Sequence, residues 1–371
     1  MKCRLINKEI NENYGIELLK ERGVKEIDKY LHPTEDCIQS PEALDNVHNG
    51  INLIVSSVMK NKKILIVVDS DVDGFTSAAI IYLYLKDMYE DTISIDYLLH
   101  EGKQHGLQDH ISNILEEDQQ YGLIILPDSS SNDKNYHDQL KDIKIPCLVL
   151  DHHLTDEAIS SNAVIINNQL SQKYQNKELT GAGVVWQFCR YYDWFSGEHY
   201  ADKYTDLAAL GIIGDMGSVL ELENRAIIEK GLNNINNFCF KTFCEKQDFS
   251  MGGKINPITV AFYIVPLMNA MIRVGTMEEK KRLFEAFLDG SQKIPSQKRG
   301  AKGELEFLAV ESARECTNAR TRQNKIKDAA VEALDIKIHK HELLGNKILF
   351  VRLDEDDDFP AVLNGSTISA R

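Results

Sequence analysis

From residue 63 onward, short apolar runs alternate with longer amphipathic stretches, and the two periods predict strands and helices in turn. KILIVVD at 63–69 is apolar and β-branched without interruption, as in a strand buried on both faces. TSAAIIYLYLKDMY at 76–89 has helical length and an apolar stripe. Four more runs of strand length follow: TISIDYLL from Thr92, LIILPD from Leu123, CLVLD from Cys147 and AVIIN from Ala163. Most are separated by enough chain for a crossover helix. Such β-α-β alternation predicts an α/β fold with a doubly wound parallel sheet. From Gly181 the pattern turns helical, through GAGVVWQFCRYY, DLAALGIIGD and ENRAIIEKGLNNI. SMGGKINP at 250–257 reads as a loop and 258–288 as a second helical stretch. The polar, glycine-containing segment 288–303 reads as a linker or exposed loop, and 304–334 as a long polar helix. KILFVRLD from Lys347 is a last strand candidate, with nothing after it to pair with. The expected organisation is a main domain with its lead-in at 1–245, a helical connector at 246–303 and an incomplete smaller α/β domain at 304–371.

Composition narrows the class. The 371 residues are 43% hydrophobic and 27% charged, which excludes disorder and fibrous architectures and leaves room for two or three domains. No run approaches the roughly 18 uninterrupted apolar residues of a membrane span. The first residues lack the apolar core of a signal peptide. Seven scattered cysteines, odd in number and never in a C-x-x-C pair, point to reduced thiols, a cytoplasmic setting and no structural zinc. With 42 Lys+Arg against 57 Asp+Glu the net charge is −15, which disfavours non-specific attraction to nucleic acid. The excess serves either solubility or the clustering of carboxylates around cations, and a formal count leaves both readings open.

The candidate chemistry sits at strand ends. The first run leads into Asp69-Ser70-Asp71-Val72-Asp73-Gly74, the third ends at Asp128, and the fourth at Asp151-His152-His153. Open parallel sheets bind ligands beyond the carboxyl ends of their strands, so these groups are expected to converge. Asp215, in GIIGDMGS, is a further candidate. Carboxylates that close repel unless a cation lies between them. A donor set of Asp and His without Cys suits Mn²⁺ or Mg²⁺, and two such ions make a hydrolytic centre. Read alone, D-x-D-x-D-G resembles a calcium loop, but Ile80 stands where its twelfth-position Glu belongs. A lone Asp after a strand reads equally well as a helix cap.

Together these residues resemble the DHH phosphoesterase superfamily, and within it the RecJ-type single-strand-specific exonucleases. LLKERGVKEIDKYLHP resembles that family's N-terminal lead-in. LAALGIIGDMGSVLELENRAIIEKGL resembles its fourth motif through the Glu-Asn-Arg, and VPLMNAMIRVG its "P-R-x-N-A-x-G-R" stretch. The likeness runs in order from about residue 15 to 285. It implies that residues 1–245 are the DHH domain and that 304–371 begin a DHH-associated C-terminal domain. It also implies that Asp71 and Asp73 ligate two ions, with Asp69 as a further or supporting ligand and Asp128 bridging both. His152 and Asp215 would complete the set, Asp151 would orient the histidines, and His153 would face the scissile phosphate. Lys103 and His105, in HEGKQHGLQD, and Asn269 and Arg273 would contact substrate, although His100, Leu267 and Ile272 depart from the family's residues. The implied activity is 5′ to 3′ removal of nucleotides from single-stranded DNA. The alternatives are a phosphodiesterase for short oligonucleotides or cyclic dinucleotides, and a truncated, weakly active partner subunit. A protein partner supplying the missing C-terminal modules fits the same reading, and a membrane partner does not. Nine Lys/Arg against four Glu at 293–327 form a basic stretch, read either as a track for phosphates or as a solvated helix face.

Overall fold

A computed structural model describes residues 14–116, 121–155 and 159–340, together with Gly345 and Leu349. The lead-in carries α1 (Tyr14–Glu21), α2 (Ile27–Leu31) and α3 (Val47–Met59). Then β1 (Lys63–Val68), α4 (Val72–Tyr89), β2 (Ile95–Leu99), α5 (Ile111–Glu116), β3 (Tyr121–Pro127), α6 (Lys134–Asp142), β4 (Cys147–Asp151) and β5 (Val164–Asn167) build the sheet and its crossovers. All five strands are parallel, in the order β2-β1-β3-β4-β5. Alternate residues explain the uninterrupted apolar runs. Ile64, Ile66 and Val68 face one hydrophobic cluster while Leu65 and Val67 face another, so both sides of β1 are covered. The chain leaves β1 for β2 on one side and returns to β3 on the other. The switch point therefore lies between β1 and β3, at the end of the sheet where the acidic residues stand.

The first helix of the sheet begins four residues earlier than its apolar stripe suggests. Asp71 caps α4, accepting a hydrogen bond from the Gly74 N–H at 3.0 Å, and this draws Asp73 into the first helical turn. The helical half continues with α7 (Gly181–Ser196), α8 (Thr205–Gly214), α9 (Leu222–Asn233) and α10 (Phe238–Met251). Next come α11 (Pro257–Thr259), a π turn over Val260–Ile264, α12 (Val265–Val274) and α13 (Met277–Asp289). The helical stretch at 258–288 is divided at Gly275, where a Thr276–Glu279 capping box starts α13. Pro257–Val274 has the length and apolarity of a membrane span, although its sequence shows no uninterrupted run. It packs Val260, Ile264, Met268 and Met271 into the main core. The segment 288–303, read as a linker or an exposed loop, carries β6 (Lys293–Pro295) and the loop that joins it to β7 (Leu305–Phe307) in an antiparallel ribbon. The long polar helix is α14 (Leu308–Lys340), which packs against α10, α12 and α13. One apolar cluster runs from Ile38 to Ala319 without a break at 245/246 or 303/304. The strand candidate from Lys347 falls outside the described residues, apart from Leu349.

The Glu-Asn-Arg triplet at the start of α9 has a structural task at each position. Glu223 is 3% exposed and accepts from Gln39 N–H and Nε2, Tyr174 OH, Asn176 Nδ2 and Gln187 Nε2, at 2.7 to 3.1 Å. Asn224 Nδ2 donates to the carbonyls of Glu178 and Ser218. Arg225 Nε donates to the Tyr30 carbonyl at 2.6 Å, its guanidinium lying 3.8 Å over the Tyr30 ring. The triplet thus ties the lead-in and the loop before α7 onto the helical layer.

Candidate metal centre

The three acidic strand ends lie on neighbouring strands, because β1, β3 and β4 are adjacent in the sheet. Strands about 4.8 Å apart bring Asp69, Asp128 and Asp151 together by register alone. Asp128 adopts φ +64°, a left-handed conformation that Asp and Asn tolerate better than most residues. The helices complete the cluster. Asp71 and Asp73 come from the start of α4 and Asp215 from the end of α8.

Asp73 is 1% exposed and held by the head of α7. Its Oδ1 accepts from Thr180 Oγ1 and Ala182 N–H, both at 3.0 Å, and its Oδ2 from Gly181 N–H at 2.7 Å. A carboxylate has about four acceptor sites, so one remains. A helix N-terminus also favours the negative charge. Only glycine fits at 181, where a Cβ would stand 2.2 Å from Asp128 Oδ1. Gly211 plays the same part on α8, since a Cβ there would lie 2.4 Å from Asp73 Oδ1.

His152 Nε2 stands among three carboxylates, 3.2 Å from Asp128 Oδ1, 3.8 Å from Asp215 Oδ2 and 4.0 Å from Asp73 Oδ2. Asp151 is fully engaged. Its Oδ1 accepts from His153 Nδ1 and the His152 N–H, both at 2.7 Å, and its Oδ2 from the Ser131 N–H at 3.0 Å. His153 is half exposed, with Nε2 left for the cleft. Its hydrogen bond to Asp151 is the main reason its pKa rises to about 9, burial opposing. Burial by itself would raise Asp151, but the hydrogen bond and charge of His153 hold it below the usual carboxylate range.

Asp128, Asp73, Asp215 and Asp69 are pushed the other way. Burial, then the charges of Asp73, Asp71 and Asp69, lifts Asp128 well above the usual range. Burial also raises Asp73, and with Asp73 alongside it raises Asp215 to about 6, His152 opposing in both cases. Asp69 is raised by burial against the pull of His105. Asp69 Oδ1 and Asp128 Oδ1 are buried with no hydrogen-bond partner. Orphaned carboxylate oxygens in a repelling cluster fit a cation better than any protein donor. Among the described residues three overlapping groups have ligand atoms within 4.8 Å of one another: Asp73-His152-Asp215, Asp69-Asp71-Asp128, and Asp128-Asp151-His152-His153, in which Asp151 is already engaged by hydrogen bonds. Their oxygen and imidazole donors suit Mn²⁺ or Mg²⁺.

A cleft of about 700 Å³ opens beside the cluster, lined by His105, Ser129, Asn132, His153, Leu154 and Lys177 among others. Of the expected substrate contacts, His105 reaches the centre but is bonded to Asp69, Nδ1 to Oδ2 at 2.7 Å. Lys103 is exposed on the same loop. Asn269 and Arg273 lie one turn apart on α12, with Asn269 Oδ1 and Arg273 Nε buried and unpartnered. No described hydrogen bond or ion pair joins them to the acidic cluster. His100, one of the departures from the family's residues, is 4% exposed and packs on His110 with ring centroids 4.5 Å apart. Burial, with His110 beside it, drives its pKa down to about 3. The basic stretch is also partly committed. Arg314 pairs with Glu306 and Glu311, Arg322 with Glu279, and Arg320 donates to Gln323.

Sequence reading missed the clamp at 180–182, whose run of small residues (Thr-Gly-Ala-Gly) heading a helix was its only local signal. It also missed Lys280, which is 1% exposed on α13 and donates to the carbonyls of His100 and Glu101. Nothing near Lys280 in the chain marks it.

Residues 63–212 match the family described as DHH family, N-terminal domain. A protein of Bacillus subtilis named as an SPbeta prophage-derived single-strand DNA-specific exonuclease, YorK, is 33% identical over 338 residues, covering 91% of this chain and 58% of that protein. The single-stranded-DNA-specific exonuclease RecJ of Haemophilus influenzae is 29% identical over 227 residues, covering 58% of this chain and 38% of that protein. The chain therefore spans about three-fifths of YorK and two-fifths of that RecJ. Among solved structures, RecJ of Thermus thermophilus in complex with Mn²⁺ shares the fold, with a TM-score of 0.67 at 21% identity over 85% of this chain and 43% of that one.

Proposed function

We propose that this chain, whose residues 63–212 match the DHH family model, hydrolyses phosphodiester bonds of single-stranded DNA, releasing nucleotides from the 5′ end. The observation that carries the reading is the pair of adjacent acidic groups with orphaned buried oxygens, opening on a cleft of nucleotide size. The names of YorK and RecJ support single-stranded DNA as the substrate.

Asp73, His152 and Asp215 would hold one divalent cation and Asp69 and Asp71 a second, with Asp128 shared between them. Bound cations supply charge neutralisation at the phosphoryl group and activation of water. The rest falls to the chain itself. The amides of 181 and 182 fix the direction of Asp73 and favour its charged form against burial, and Asp151 accepts from His153 Nδ1–H and favours the imidazolium. His153 is then a proton-bearing donor at the cleft wall, aimed by Nε2 at a phosphate oxygen that gains charge during displacement. Asn269 and Arg273 would meet the strand farther from the reacting bond.

His153→Ala should lower turnover roughly a hundredfold while changing Mn²⁺ affinity far less. Equal loss of both would recast His153 as a cation ligand. The reading as a whole is tested with Mn²⁺ and single-stranded DNAs labelled at either end, beside a short RNA and a cyclic dinucleotide. Mononucleotides released first from the 5′ end are the expected result. Cleavage confined to the dinucleotide-sized substrates would replace this function with that of a small-molecule phosphodiesterase.

A further inference from the structure

We infer that His105 is a positioning residue for the metal centre: its Nδ1–H fixes the Asp69 carboxylate so that the other oxygen is aimed at the cation site shared with Asp71 and Asp128. This rests on the metal-centre reading proposed above. Asp69 is 1% exposed, and its two oxygens differ sharply. Oδ2 has His105 Nδ1 at 2.7 Å, whereas Oδ1 is buried with no partner. The terminal torsion of an aspartate is broad and twofold, so one directed hydrogen bond decides which oxygen faces the ligand. Without it, a cation must order the carboxylate itself as it binds.

The loop that presents His105 is built for the task. Ser70 Oγ, between Asp69 and Asp71, donates to the Gln104 carbonyl at 2.6 Å. Asp133 Oδ2 accepts from the Leu107 N–H at 3.0 Å. From behind, Lys280 Nζ on α13 holds the His100 carbonyl at 3.1 Å and also that of Glu101. The loop is thereby pinned on both sides of His105 and from a helix 180 residues away. The arrangement repeats one already described. His153 meets Asp151 as His105 meets Asp69, in both cases Nδ1 to carboxylate at 2.7 Å, with the aspartate 1% exposed and the imidazole half exposed. Both histidines line the same cleft. In the Asp151 pair the aspartate orients the histidine. In the Asp69 pair the free oxygen belongs to the aspartate, so the histidine does the orienting.

The test is Mn²⁺ titration by calorimetry on the full chain, with melting in EDTA as the folding control. His105→Ala should weaken Mn²⁺ binding about tenfold, the usual scale for loss of a residue that orients a ligand. His105→Asn, whose amide can stand where Nδ1–H stood, should bind within about threefold of wild type. Wild-type affinity in His105→Ala would overturn the inference. Equal loss in the Ala and Asn variants would also overturn it, since the effect would then not depend on the donor. Asp128→Ala serves as the reference. If that variant binds Mn²⁺ like wild type, the metal centre itself is wrong and this inference falls with it, a result distinct from failure at His105 alone.

Discussion

Replacing Asp128 by alanine should abolish hydrolysis without unfolding the protein. In the proposed arrangement Asp128 is the shared ligand, and its loss removes several kcal/mol of charge stabilisation, roughly a thousandfold or more in rate. The stability effect runs the other way. Asp128 is buried beside Asp73, Asp71 and Asp69, which raises its folded pKa. A carboxylate raised in this way is most compatible with the fold below its unfolded value of about 4, and that compatibility is lost as pH rises through the folded value. At neutral pH in EDTA, the variant should therefore melt no lower than wild type apart from one local cost. Alanine is less suited than Asp to φ +64°, at about 1 kcal/mol. Asp128→Asn avoids that cost and should melt higher than wild type in EDTA while remaining as inactive. Added Mn²⁺ should raise the melting temperature of wild type much more than that of either variant. Near-native turnover in Asp128→Ala would remove the shared-ligand assignment.

Glu223→Ala should be the most destabilising single substitution away from the metal centre. It strips the acceptor from five donors converging on a buried carboxylate, drawn from the lead-in, the loop at 174–176 and α7. Breaking such a network typically costs about 3–5 kcal/mol, which lowers the melting temperature on the order of 10 °C. Turnover measured well below the transition should fall far less than in Asp128→Ala, because Glu223 makes no contact with the acidic cluster. Glu223→Gln keeps one acceptor oxygen and should recover part of the loss. A melting temperature within about 2 °C of wild type in Glu223→Ala would show that the network is not cooperative.

The sequence by itself determined the five strands of the parallel sheet, the α/β class and the acidic residues at the strand ends that form the candidate metal centre. Each of these rests on a local signal. β1, β3 and β4 are short apolar runs bounded by polar chain; Asp69 and Asp128 directly follow β1 and β3, and Asp151 is the last residue of β4. A period of two with both faces apolar leaves little but a covered parallel strand. Helix starts were less legible, because a cap is a single side-chain hydrogen bond. The bond from Gly74 N–H to Asp71 moves the start of α4 to Val72 and carries Asp73 into the helix. Only the tertiary structure decided what surrounds the acids. The strand order makes β1, β3 and β4 neighbours, and no period along the chain encodes which strand lies beside which. The clamp on Asp73 arrives from 107 to 109 residues away, Lys280 from 180, and the donors on Glu223 from 36 to 184. His105 stood in the sequence as a contact for substrate, yet the fold turns it onto Asp69. A residue's type sets which bonds it can make, and its partner is set by packing between segments that only the folded chain brings together.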